Sequence, residues 1–184
     1  MATILLTGAS RGIGAAARTL LEQSGHTVIG QSTAGADGLI AADFAQPRAA
    51  DALWAAALEQ AGGRIDVLVN NVGVFDAAPI DDADGFAATW ARSHAINLQS
   101  AADLCRHAVL HFQANGGGRI INVASRAGHR GDSPQHWHYA AAKGGMLAMT
   151  KSIARGYAAQ NILAFAITPG FTMTGMAEEY LASR

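Results

Sequence analysis

Residues Thr7-Gly-Ala-Ser-Arg-Gly-Ile-Gly14 place glycines at 8, 12 and 14, directly after the apolar run Ile4-Leu5-Leu6. A glycine turn that leaves a strand and opens a helix brings unpaired backbone N–H groups and the positive end of the helix dipole to one point, which suits a phosphate. Gly8 permits the tight turn; Gly12 and Gly14 permit close approach of a ligand and of the helix to the sheet. The spacing is G-x-x-x-G-x-G and lacks the Gly-Lys-Ser/Thr of a P-loop, which argues against an ATPase or GTPase. A purely structural turn is the alternative.

Outward from this turn the pattern alternates. Apolar runs at 2–7, 27–31, 38–42, 65–70, 119–124 and 162–168 read as strands buried on both faces, since strict polar alternation is missing. Helix-length segments at 13–24, 47–61, 84–115 and 137–160 lie between most of them. Gly25 supplies a stop for the first helix, and Pro47 is expected in the first turn of the second. Strand–helix repetition predicts an α/β fold, a Rossmann-type doubly wound parallel sheet in three αβα layers, forming one domain over 1–184. One link is too short. Residues 32–37 leave no room for a helix, although a parallel crossover normally takes a dozen residues, so either the link is a bare loop or a strand is misplaced.

Composition narrows the function classes. Of 184 residues, 50% are hydrophobic and 15% charged, with net charge −1, so the chain is globular with no basic excess for nucleic acid. No apolar run reaches membrane-spanning length and no basic leader precedes one, which makes the cytoplasm the expected location and excludes a membrane partner at this level. The single cysteine, Cys105, falls in a helical stretch and reads as a buried structural thiol.

Further motifs follow in order. Asn70-Asn-Val-Gly73 ends the fourth predicted strand. Asn97 lies in Ile-Asn-Leu, inside a predicted helix, where asparagine is a poor former. Ser125 ends Ile-Ile-Asn-Val-Ala-Ser after the fifth strand. Tyr139-Ala-Ala-Ala-Lys143 puts a phenol and an ammonium on one helix face. Pro169-Gly170 follows the sixth strand, with Thr174 after it. A free tyrosine ionises near pH 10, and a neighbouring ammonium is expected to lower that value toward the range useful for acid–base catalysis.

Together these stretches resemble the short-chain dehydrogenase/reductase family along most of the chain. The resemblance implies hydride transfer between a nicotinamide and a carbonyl or alcohol on a small molecule. It implies that Tyr139 passes the proton, Ser125 orients the substrate oxygen, Lys143 holds the ribose hydroxyls, and Asn97 links to Lys143 through water. It places Gly8, Ser10, Arg11, Gly12, Ile13, Gly14, Asn70, Gly73, Tyr139, Lys143, Pro169, Gly170 and Thr174 at the cofactor, and Asp43 near the adenine. On the residues alone, Ser125 is a turn serine, Asn97 a buried polar contact, and Asp43 the cap of the helix near Pro47.

No acid ends the second strand. Ser32 stands where members that prefer NAD carry Asp, and Arg11 can reach toward a 2′-phosphate, so NADP(H) is expected over NAD(H). Asp37, in the short loop, is the residue that could reverse this.

Two departures from the family are visible. The helix between the second and third strands is absent. Residues 178–184 read as the start of a helix, and the sequence does not reach the covering helix and final strand that members usually add, so the C-terminal strand and lid are expected to be missing. His129, His136 and His138 lie close in sequence without converging acid or thiol partners beyond Asp132, so no metal is expected; with Trp137 they either shape substrate choice or form a plain loop. Residues 75–84, with Pro79 and several aspartates, read as a solvated loop.

The expected assembly is a homodimer or homotetramer through the helices at 84–115 and 137–160. A nicotinamide-binding sensor or scaffold without turnover is the alternative from another class. A methyltransferase on a related sheet would want an acid after the second strand, where Ser32 stands.

Overall fold

The computed structural model describes residues 1–175 and 181; the helix start expected at 178–184 lies, but for Leu181, outside them. In chain order the elements are β1 (Thr3–Leu6), α1 (Gly12–Gln23), β2 (Thr27–Ser32), β3 (Ile40–Ala41), α2 (Ala49–Gln60), β4 (Val67–Asn70), α3 (Ala83–His94), a π-helical turn (Ala95–Gln99), α4 (Ser100–Ala114), β5 (Gly118–Val123), α5 (Ala127–Arg130), α6 (Trp137–Tyr157), a 3₁₀ turn (Ala158–Gln160) and β6 (Ile162–Ile167). The strands form one parallel sheet in the order β3-β2-β1-β4-β5-β6. The chain reverses its direction of growth between β1 and β4, which opens a crevice at their carboxyl ends.

Adjacent strand residues feed opposite layers. Leu5, Ile29, Leu68, Ile120 and Ile162 pack with α2, α4 and the end of α6. Leu6, with Val28 and Val69 beside it, packs under Ala17 of α1. Both faces are therefore apolar, which is why the strands show no simple alternation. Phe112 of α4 is fully buried, and a Cβ at Gly118 would stand 2.4 Å from its ring.

The short link is a bare loop. β3 has two residues and pairs only with the end of β2, Gln31 to Ile40 and Ser32 to Ala41. The chain returns by about one residue of rise, roughly 3 Å, so a full crossover is unnecessary. Gly35, Asp37 and Gly38 take positive φ to make the reversal.

Two helix expectations change. α2 begins after Arg48, which has φ +61°, so Pro47 lies before the helix and not in its first turn. The expected long helix at 84–115 is α3 and α4 joined by the π turn, which contains Asn97. Among the described residues no helix is long and apolar enough to cross a membrane.

Phe112→Ala should lower unfolding stability by about 3–5 kcal/mol, read from urea denaturation, because the ring fills the junction of α4 and β5. A loss below about 1 kcal/mol would show that the junction collapses around the gap.

Candidate active site

The glycine turn is built by contacts no side chain could share. Gly8 and Gly12 have φ of +65° and +56°, and a Cβ on Gly14 would stand 1.9 Å from the Gly8 carbonyl oxygen. The turn is stitched from both sides. The buried Gln31 of β2 accepts from the Gly8 amide at Oε1 (2.9 Å) and donates from Nε2 to the Ala42 carbonyl (2.6 Å). Asn71 donates from Nδ2 to the carbonyls of Thr7 (3.0 Å) and Gly8 (3.1 Å). Arg11 precedes α1 without capping it by its side chain. The helix therefore presents its first amides without a side-chain acceptor from the cap position, the arrangement that favours an anion.

The second cluster gathers at the ends of β4 and β5. Asn97 grips the backbone of Val74 at two points: its Oδ1 accepts from the Val74 amide (2.9 Å) and its Nδ2 donates to the Val74 carbonyl (3.0 Å). Nδ2 also donates to Ser93 Oγ (2.9 Å). The π turn directs a fully buried carboxamide at the loop after β4, a use of irregular helix often found at functional sites. A Cβ at Gly73 would stand 3.1 Å from Asn97 Oδ1 and 3.7 Å from Lys143 Nζ, so this glycine keeps the space between them open.

Lys143 is buried and donates from Nζ to the Val123 carbonyl (2.8 Å). Burial lowers its pKa to about 8, so the ammonium persists at neutral pH. Its Nζ lies 5.8 Å from the Tyr139 ring centroid.

Tyr139 departs from expectation. Burial pushes its phenol above the ordinary value, a hydrogen bond with Ser125 works in the opposite direction, and the charge of Asp132 adds to the rise. The expected lowering by Lys143 does not appear, and desolvation outweighs the one lowering influence, the Ser125 hydrogen bond. Tyr139 is thus a protonated donor at neutral pH. Ser125 Oγ also accepts from the Ala127 amide (3.1 Å).

A single cavity of about 670 Å³ joins the two clusters. At one end it is lined by Gly8, Ser10, Arg11, Gly12, Ile13 and Gly14, with Ser32 and Asp43 beyond them. Gly73, Ser125, Tyr139 and Lys143 line the other end, with Pro169, Gly170 and Thr174 along the wall. Two predicted residues stand elsewhere. Asn70 points into the sheet interior, donating to Asn122 Oδ1 (2.8 Å) and Cys105 Sγ (3.4 Å), while Asn71 takes the cavity position. Asn97 acts on the cavity through Val74 without lining it.

Ser32 Oγ accepts from the Gly35 amide (3.0 Å), so it also holds the bare loop. Asp43 Oδ1 accepts from the Ala45 amide (3.0 Å); it caps a local turn and not α2. Asp37 is not among the lining residues. Burial drives the Cys105 thiol up to about 12, which makes it an inert core group.

Of the three histidines, His136 and His138 are buried in the framework and His129 is exposed. His136 stacks on Phe75, centroids 3.8 Å apart, and Phe75 meets Tyr139 edge-on at 4.8 Å. His138 is fully buried, and none of the three histidines lines the cavity. Among the described residues no group of three or more His, Cys, Asp or Glu could hold a metal. Phe75 lines the cavity, and the Ala78 amide donates to the Gln135 carbonyl (2.9 Å), so residues 75–78 are not the solvated loop expected. Gln31, Asn71 and Phe75 escaped the sequence reading: Gln31 carried the signal of a polar residue inside an apolar strand, Asn71 is indistinguishable from Asn70 in a run of two, and Phe75 gave only an isolated aromatic.

Residues 2–184 match the family model described as short chain dehydrogenase. The chain is 37% identical over 186 residues to a cis-4-hydroxycyclohexanecarboxylate dehydrogenase of Sinomonas cyclohexanicum, covering 92% of this chain and 73% of that protein. It superposes on a Beutenbergia cavernae structure holding NADP at low occupancy with TM-score 0.85 and 29% identity, over 98% of this chain and 76% of that one. A 3-ketoacyl-(acyl-carrier-protein) reductase from Brucella melitensis complexed with NADH gives TM-score 0.87 and 27% identity, over 96% and 78%.

The buried ammonium has a measurable consequence. Between about pH 8 and the ordinary lysine value of 10.5, the folded chain has released the Lys143 proton while the unfolded chain still binds it. Raising pH through this window therefore stabilises the fold. Urea unfolding of the wild type should gain stability relative to Lys143→Met from pH 8 to 10.5; a constant difference would show that Lys143 titrates normally.

Proposed function

The chain belongs to the short chain dehydrogenase family, and on that premise we propose that it is an NADP(H)-dependent oxidoreductase acting between a carbonyl and its alcohol, with Tyr139 as the acid and base. The observation that carries this reading is the continuity of one cavity from the glycine turn to Ser125, Tyr139 and Lys143. Its residues fit a nicotinamide dinucleotide. The turn at Gly8–Gly14 would hold the pyrophosphate, Asp43 the adenine end, and Lys143 the nicotinamide ribose, while Pro169, Gly170 and Thr174 flank the ring. When bound, the nicotinamide supplies the hydride in reduction or accepts it in oxidation.

The protein's own work is positional and protonic. Ser125 and Tyr139 direct their hydroxyls at the substrate oxygen. In reduction Tyr139 gives that oxygen its proton as the carbonyl carbon gains hydride, and the raised phenol pKa keeps the proton available at neutral pH. The Lys143 ammonium stabilises the phenolate left behind. Asn97 keeps the loop after β4 in place, so that Gly73 leaves room between itself and Lys143. Phe75 forms an apolar wall beside the phenol and excludes water from one side.

Preference for NADP(H) rests on Arg11 and Ser32, both lining the cavity, and on the lack of a carboxylate at the end of β2. Assembly into a dimer or tetramer through α3–α4 and α6 belongs to the same reading, supported by Leu110, 53% exposed on α4.

Titration followed by nicotinamide fluorescence should show NADPH binding at least tenfold tighter than NADH, and Arg11→Ala should erase most of that difference. Tighter NADH binding would overturn the selector argument. Tyr139→Phe should reduce carbonyl turnover by more than a hundredfold with NADPH affinity unchanged. Loss of affinity in that variant would mean that Tyr139 holds the cofactor instead, and binding without turnover in the wild type would favour a nicotinamide sensor.

A further inference from the structure

We propose that the substrate carries an anionic group, a carboxylate or a phosphate, and that Arg126 and Arg130 hold it beside the reacting carbonyl. The inference deepens the oxidoreductase reading above and rests on it. Arg126 follows Ser125 directly, and Arg130 ends α5 four residues later. Both are exposed, and both line the cavity that contains Ser125 and Tyr139. A spacing of four brings the two side chains to one side of a single helical turn, where like charges repel unless an anion lies between them.

The other cations at this end are engaged. Arg92 forms an ion pair with Asp76, and Lys143 donates to the Val123 carbonyl. Among the described residues neither Arg126 nor Arg130 has a side-chain ion pair or hydrogen bond. Asp132 also lines this mouth, with Oδ1 accepting from the Ser133 amide, so two arginines share the mouth with one carboxylate and their summed charge is positive. Guanidinium forks match both carboxylate and phosphate oxygens in pairs.

The support beneath the two arginines is fixed. The Arg126 amide donates to the Pro169 carbonyl (3.3 Å), and a Cβ at Gly128 would stand 2.8 Å from the Lys143 backbone, so α5 is seated directly on α6. Four helical residues advance about 6 Å. An anion held by both guanidiniums shares this end of the cavity with an oxygen held by Ser125 and Tyr139. This points to an oxo acid or a phosphorylated ketone, and not to an uncharged ketone.

The test compares matched pairs with NADPH: 4-oxopentanoate against 4-oxopentanamide, and dihydroxyacetone phosphate against dihydroxyacetone. In the wild type the anion of one pair should be preferred at least tenfold in kcat/KM, and which pair shows it distinguishes carboxylate from phosphate. Arg126→Gln with Arg130→Gln should abolish the preference, mainly through KM, while Arg126→Lys with Arg130→Lys should retain part of it. Equal use of anion and neutral partner by the wild type, or a preference that survives in the double glutamine variant, would overturn the proposal. Calorimetric binding of the same four compounds reads the anion site without turnover. If nothing is reduced but an anion binds and the double glutamine variant, folded by circular dichroism, loses that binding, the anion site stands and the oxidoreductase reading fails. If anion and neutral partner bind alike, the anion site fails whatever the turnover.

Discussion

The contact between Gly14 and the Gly8 carbonyl is the constraint on which the cavity depends. With 1.9 Å between that oxygen and any Cβ at position 14, α1 can seat itself on the end of β1 only if residue 14 has no side chain. Once the helix is seated, Asn71 reaches the carbonyls of Thr7 and Gly8, and Gln31 reaches the Gly8 amide. The ends of β2, β1 and β4 are thereby tied at the point where the sheet reverses its direction of growth. The crevice there is open because its edges are stitched, and its amides remain available because no side chain can enter the turn.

At the far end the organising force is desolvation. Burial pushes the two titratable partners in opposite directions, raising the Tyr139 phenol and lowering the Lys143 ammonium. Each change disfavours a charge, yet at neutral pH the outcome is a neutral acid beside a cation. That pairing suits proton donation, with the cation waiting for the phenolate it would stabilise. The framework around it is apolar and aromatic, with Phe75 edge-on to the phenol and His136 stacked on Phe75.

The parallel sheet, the glycine turn and the helix bearing Tyr139 and Lys143 were legible in the sequence because each rests on local physics: apolar runs, positive φ and a spacing of four. The bare link between β2 and β3 was visible as a conflict, and a two-residue strand resolves it. Features that depend on distant partners were not legible. The π turn leaves no periodic signature in five residues, so 84–115 read as one helix. Asn70 and Asn71 exchange roles because only the pairing of β4 with β5 decides which one meets Asn122. Tyr139 shifts upward because burial, a property of the whole cavity, exceeds the opposing hydrogen bond with Ser125.

The π turn makes the spacing of the chain itself a functional quantity. It holds one residue more than the α-helical path would need, and α3 and α4 run on from either side of it. Deleting Leu98 or Gln99 would let a regular helix form from α3 into α4. Both halves would keep their register, and the residues of the turn would be displaced about the axis instead, by up to about 100°. Asn97 would then swing off the Val74 backbone while the apolar face of α4 stayed in the core. The fold would survive as a shape, but the loop beside Lys143 would lose its anchor. In this chain helical irregularity is thus a coded length, and a deletion at Leu98 or Gln99 acts on the site without removing a residue that lines it.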